Sequence, residues 1–141
     1  MTRLAYERTG YRVGSGAAAV VLRIGEMSDA VRDMHRSFGV SSSVFITACN
    51  PFGRRAPEEE NAKAMQHLCD CLDARGIRWI AGEGRGMDES WVPEPSVLAF
   101  GIAAADAAAV CVEFEQNAVV AIGDDAIPRL VFHPRAVLAG G

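Results

Sequence analysis

The chain has 141 residues, half of them hydrophobic, enough for one domain that buries roughly two-thirds of its unfolded surface. A charged fraction of 23% beside that apolar content excludes a disordered chain. The net charge of −4 argues against a dedicated nucleic-acid surface and leaves a small polar or anionic molecule as the expected partner.

The N-terminus "MTRLAYERTGYRVGSG" carries no apolar h-region, and "AAAVVL" is too short and too late to act as one. No membrane segment and a cytoplasmic location are therefore expected. "AVVLRIG" (19–25) is short and β-branched, which predicts a strand. Ser28 then caps a helix whose apolar face is Val31, Met34, His35 and Phe38, and Gly39 closes it. "SVFITAC" (43–49) is apolar on both alternating faces, with Val44, Ile46 and Ala48 on one and Phe45 and Thr47 on the other. Such a strand is covered on both sides, by the first helix or by a second subunit of a homodimer.

The run "ITACNPFGRR" (46–55) ends that strand abruptly. Asparagine before proline is a common strand terminus, because proline forces an extended predecessor and the amide can bond nearby backbone. Arg54 and Arg55 follow as candidate anion ligands. Pro57 and the acidic Glu58, Glu59 and Glu60 announce a helix start, and Arg75 with Gly76 its end. The apolar stripe is Met65, Leu68 and Leu72, and one step of four back from Met65 reaches Asn61, which therefore points inward.

"IRWIAG" (77–82) reads as a strand, "EGRGMDESWVPEP" (83–95) as a loop and "SVLAFGI" (96–102) as a strand. "GEGRG" (82–86) precedes no helix and lacks Lys-Ser or Lys-Thr, so it reads as a flexible turn rather than a phosphate loop. "AAADAAAVCVEFE" (103–115) is a helix by propensity, and Asn117 suits the left-handed position that ends it. "AVVAIG" (118–123) is a strand, and "PRLVFH" (128–133) pairs back on it as a hairpin.

The order from 43 to 123 is β-α-β-β-α-β, that of a ferredoxin-like core. The predicted fold is α/β in content (α+β in arrangement), a single domain over residues 1–141, with an added N-terminal β-α unit and a C-terminal hairpin strand. In that topology one rim of the sheet collects Asn50, Asn61, the 83–95 loop with Arg85 and Trp91, Glu94, Ser96, Gln116 and Asn117. Glu94, its backbone fixed by prolines on both sides, is the candidate acid or base. The amides of Asn50, Asn61 and Gln116 would orient a ligand whose anionic group meets Arg54, Arg55 or Arg85. Trp91, Ser96 and Asn117 complete the expected binding set.

Metal and nucleophile chemistry find no pattern. His35, His67 and His133 are scattered, with no HExxH, no Cys-x-x-Cys and no G-x-S-x-G. Cys69 and Cys71 lie two apart on a helix and face apart, while Cys49 and Cys111 sit in apolar company as small core residues of a reducing compartment. Neither metal nor cofactor is expected.

The succession "LRIG", "FITACNP", "EEENA", "WVPEPSVL" and "FEQNAVV" resembles the bacterial family known as domain of unknown function 3293, from about Tyr11 to Phe132. Cys49 stands where that family's motif carries an aromatic residue, which argues against Cys49 as a nucleophile. The resemblance implies no activity; it supports the fold boundaries and the residues singled out. Two classes of function remain: a small-molecule site at the rim, with Glu94 as acid, base or anchor, and a non-catalytic protein interaction module using an open sheet face or edge. Unpaired polar groups in a concavity would mark the first, internally satisfied amides and an apolar patch the second.

Overall fold

Local signals set the first helix. In the computed structural model, which describes residue 7 and residues 9–85 and 93–135, the Ser28 hydroxyl accepts a hydrogen bond from the Val31 N–H at 3.2 Å. Gly39 ends the helix in the left-handed region at φ 66°, the conformation glycine adopts without a Cβ penalty. Helix α1 thus spans Asp29–Phe38. Helix α2, Glu58–Ala74, starts behind Pro57 with three glutamates in its first turn, and α3 is Ala107–Glu113, shorter than its alanine-rich sequence predicts because residues 104–106 form a 3-10 turn.

The strands are β1 Gly10–Val13, β2 Val20–Leu22, β3 Ser43–Ile46, β4 Trp79–Arg85, β5 Glu94–Phe100, β6 Ala118–Ile122 and β7 Pro128–Phe132. They form an α+β arrangement with one antiparallel sheet in the order β2-β1-β4-β5-β3-β6-β7. The registers Ile46 with Val97, Gly84 with Glu94 and Phe45 with Val120 bring the ends of β3 and β4 and the starts of β5 and β6 to one rim. No helix of the described residues is long and apolar enough to cross a membrane.

Both faces of β3 are covered within the chain. Val44 and Ile46 pack with Leu68 and Leu72 of α2 and with Ala107, Val110 and Cys111 of α3. Phe45 packs on the other face with Tyr11, Val13, Leu98 and Phe100, under Val31, Met34 and Phe38 of α1. Full burial of each such side chain contributes roughly 1.5–3 kcal/mol. The second face of β3 is therefore α1's.

Several expectations are corrected. Strand β1 went unread, because four residues between glycines show only Tyr11 and Val13 as a buried alternation. Strand β4 continues to Arg85, so residues 82–85 belong to the sheet and not to a flexible turn. Gly82 is there because Arg12 of β1 crosses so near that a Cβ would meet its carbonyl oxygen. The left-handed residue after α3 is Glu115, at φ 54°, and not Asn117.

His35 is the buried titratable group beneath α1. Its Nε2 lies 2.7 Å from the Ser43 hydroxyl, its ring stands edge-on to Phe100, and Arg32 and Arg36 share its groove. Burial lowers the imidazole pKa from its ordinary value. The unfolded chain therefore binds this proton more readily, near pH 6.5. Stability is at its full value above that pH and falls as the solution is acidified through it. Urea midpoints at pH 7.5 and 5.5 should show the loss, and His35→Gln should remove most of it. Equal pH dependence of wild type and His35→Gln between those pH values would contradict the assignment.

Candidate functional site

Strand β3 stops where Thr47 leaves the ladder. Its hydroxyl donates to the Pro95 carbonyl at 2.7 Å and accepts from the Cys49 N–H at 3.1 Å. The chain then reaches Asn50, which is not extended: φ 49° and ψ 65° place it in the left-handed region directly before Pro51. Asparagine tolerates that region better than most residues, and its side chain supplies the compensation.

The Asn50 Oδ1 accepts from the Ala56 N–H and from the Asn61 Nδ2, both at 2.9 Å. The Asn50 N–H donates to the Asn61 Oδ1 at 2.9 Å, so the two amides hold each other reciprocally. The Asn50 Nδ2 donates to the Glu94 Oε2 at 3.0 Å. Asn61 lies on the inward side of the first turn of α2, as the helical spacing from Met65 predicts. Three chain segments are thus joined by side chains rather than by the ladder.

Glu94 opens β5 opposite Gly84 and is half-buried. Burial pushes its carboxyl pKa up, and the Asn50 hydrogen bond partly opposes that rise. Oε1 takes no hydrogen bond from any described residue; only Oε2 is held. Cys49 is buried beside it, its Sγ 3.8 Å from the Pro95 carbonyl oxygen. Burial raises its thiol pKa, the Thr47 hydrogen bond lowers it and the Glu94 charge raises it again. That is the reverse of an activated nucleophile.

The remaining predicted residues divide. Gln116 is buried, and its Nε2 donates to the carbonyls of Cys49 and Phe114, both at 3.1 Å. It holds the backbone just before Asn50 and does not touch Glu94. Ser96 is also buried, and its hydroxyl turns back to the Glu94 carbonyl at 3.0 Å, so it is occupied within its own strand. Asn117 lies beside Gly53 and accepts the His133 N–H through its carbonyl. Arg54 and Arg55 are exposed on the loop before α2. Arg85 is placed by its backbone alone, opposite Gly10, and Trp91 lies outside the described residues.

Three residues that sequence reasoning passed over complete the rim. Phe52 has φ 54° and Glu115 has φ 54°, and the Phe52 N–H donates to the Glu115 carbonyl at 2.7 Å. A bulky residue in this region is an outlier. Phe52 is 40% exposed, and its ring meets His133 edge-on, with centroids 5.5 Å apart. Gly53 was the local signal of a tight turn, but nothing local announced Glu115 or His133. Backbone strain of this kind gathers where surrounding structure over-determines the chain.

The amides therefore satisfy one another, while a carboxylate oxygen, an aromatic ring and two guanidinium groups do not take part in that network. Two open grooves among the described residues, of about 410 and 360 Å³, lie elsewhere, one against Phe38, Ile77 and Trp79 and one against Arg32, Arg36 and Asp124. A family model described as "Protein of unknown function (DUF3293)" matches residues 46–119, a narrower span than Tyr11 to Phe132. Asn50, Asn61, Glu94 and Gln116 all fall inside the matched span. No curated protein and no solved structure matches the chain.

Proposed function

Because the chain belongs to the family of proteins of unknown function DUF3293, we propose a function from its site: the rim binds a small molecule that donates a hydrogen bond to Glu94 and turns an anionic group to Arg54 and Arg55. The observation that carries this reading is the divided state of the Glu94 carboxylate. One oxygen is fixed by Asn50 at 3.0 Å, and the other takes no hydrogen bond from a described residue. A half-buried carboxylate held in one orientation by a strained asparagine costs stability and gains an acceptor of defined direction. Its raised pKa also suits a general acid or base near neutral pH. The four central strands, in the order β6-β3-β5-β4, support reading the core as ferredoxin-like.

The second reading, an interaction module, draws on the reciprocal bonds of Asn50 and Asn61, which leave those amides satisfied without a ligand. Glu94→Gln separates the two. Glutamine keeps an acceptor for Asn50 but sheds the cost of burying charge, so the variant should melt at the same temperature or higher at pH 7.5. A metabolite present at 100 times its Kd adds about 2.7 kcal/mol, a rise on the order of 10 °C for a domain of this size. Wild type should show such a rise with at least one metabolite of a broad panel, and Glu94→Gln should lose it. No hit with either protein, together with a destabilised variant, would remove the small-molecule reading.

A further inference from the structure

We infer that the molecule taken up at the rim carries a flat heteroaromatic ring beside its anionic group, as a nucleoside monophosphate does; this rests on the rim being a ligand site. The argument begins with Phe52. The residue is 40% exposed, yet its backbone is held at φ 54°, where a bulky side chain is disfavoured and glycine is not. The hold is tertiary: the Phe52 N–H reaches the carbonyl of Glu115, a second left-handed residue, across the rim. Two disfavoured conformations are thus maintained around an aromatic residue that stays partly exposed.

The ring's aromatic contact among the described residues is His133, whose plane stands at 80° to it. His133 is itself fixed, its N–H donating to Asn117 and its Nδ1 accepting from the Arg135 N–H at 3.0 Å. The exposed part of Phe52 beside this edge-to-face pair is where a planar ring would add by offset stacking. Base stacking on an aromatic side chain tolerates any base, since each has a π-face. Phe52 is followed within three positions by Arg54 and Arg55, both exposed, and preceded by Asn50, which holds Glu94. An amino or ring N–H group supplies a donor to the second Glu94 oxygen, which takes none from a described residue. A phosphate supplies the charge for the guanidinium groups, with which it pairs bidentately.

Calorimetry with adenosine 5′-monophosphate, guanosine 5′-monophosphate and ribose 5-phosphate tests this on wild type, Phe52→Gly and Phe52→Tyr. Wild type and Phe52→Tyr should bind at least one nucleotide tenfold or more tightly than ribose 5-phosphate. Phe52→Gly suits the left-handed backbone, so its melting temperature should hold or rise while the preference falls to parity. Equal binding of nucleotides and ribose 5-phosphate by wild type would overturn the ring and leave the rim reading standing, as would a preference that survives in Phe52→Gly. Absence of binding by all three probes overturns the ring as well, and the metabolite panel with Glu94→Gln then decides the rim reading separately.

Discussion

Gly82→Ala should separate β1 from β4 and lower stability by about 3 kcal/mol, the upper end of what overpacking costs. A Cβ at residue 82 would lie 2.1 Å from the Arg12 carbonyl oxygen and 3.2 Å from Cε2 of Phe45. The first contact is with backbone, which no rotamer change relieves. Relief requires moving β1, whose register runs from Gly10 opposite Arg85 to Val13 opposite Gly82. Movement of β1 uncovers Tyr11 and Val13 and loosens Leu22 of β2 behind them, all buried in the α1-side core. The melting temperature should fall by roughly 10 °C, and the amides of residues 10–13 should lose hydrogen-exchange protection before those of β3 and β5. Gly84→Ala is the control, because a Cβ there meets no described residue within 4 Å; its effect should stay under about 0.5 kcal/mol. Equal effects of the two substitutions would show that the close approach at Gly82 is not the cause.

Asn50→Ala should also cost about 3 kcal/mol, by a different route. It removes the acceptor of the Ala56 N–H and the Asn61 amide and the donor to Glu94. Each half-buried group left unpaired costs about 1–3 kcal/mol, and solvent at the rim recovers part of that. Alanine would also have to hold φ 49° before a proline, which adds roughly 1–2 kcal/mol. Asn50→Gly loses the same hydrogen bonds without the backbone penalty, so it should be more stable than Asn50→Ala by about 1 kcal/mol. Urea denaturation of both variants measures the difference. If glycine and alanine are equally destabilising, the left-handed backbone at Asn50 carries no strain.

What the sequence reveals of this site depends on how far each determinant reaches. Ser28 and Gly39 bound α1 through contacts within a turn of the chain, and they are legible. Asn61 is legible because 3.6-residue periodicity counted from Met65 fixes its direction. The meeting of Asn50 with Glu94 is legible one level higher, through the order of strands and helices alone. Gln116 marks the limit of that level: topology brings it to the rim, but its amide turns to the Cys49 carbonyl. The close approach at Gly82 is not legible, since the strand that demands a glycine there lies about seventy positions away and is only four residues long. The left-handed Phe52 and Glu115 are invisible for the same reason, as each is held by the other.

The place of β3 in the sheet has a consequence for how the chain is made. Both strands that flank it, β5 and β6, lie later in the sequence. During synthesis the segment "SVFI" (43–46) therefore emerges with both backbone edges open. It stays so until residues 97–100 leave the ribosome, and its second edge closes only with residues 120–122. At 5–20 residues per second that interval lasts several seconds, during which an apolar strand with two unpaired edges is a template for other chains. Helix α1 precedes β3 and is able to cover its Phe45 face at once, and helix α2, complete well before β5, covers the other face through Leu68 and Leu72. The long amphipathic segment between β3 and its partners thus serves the nascent protein as a temporary shield before it serves the finished one as core.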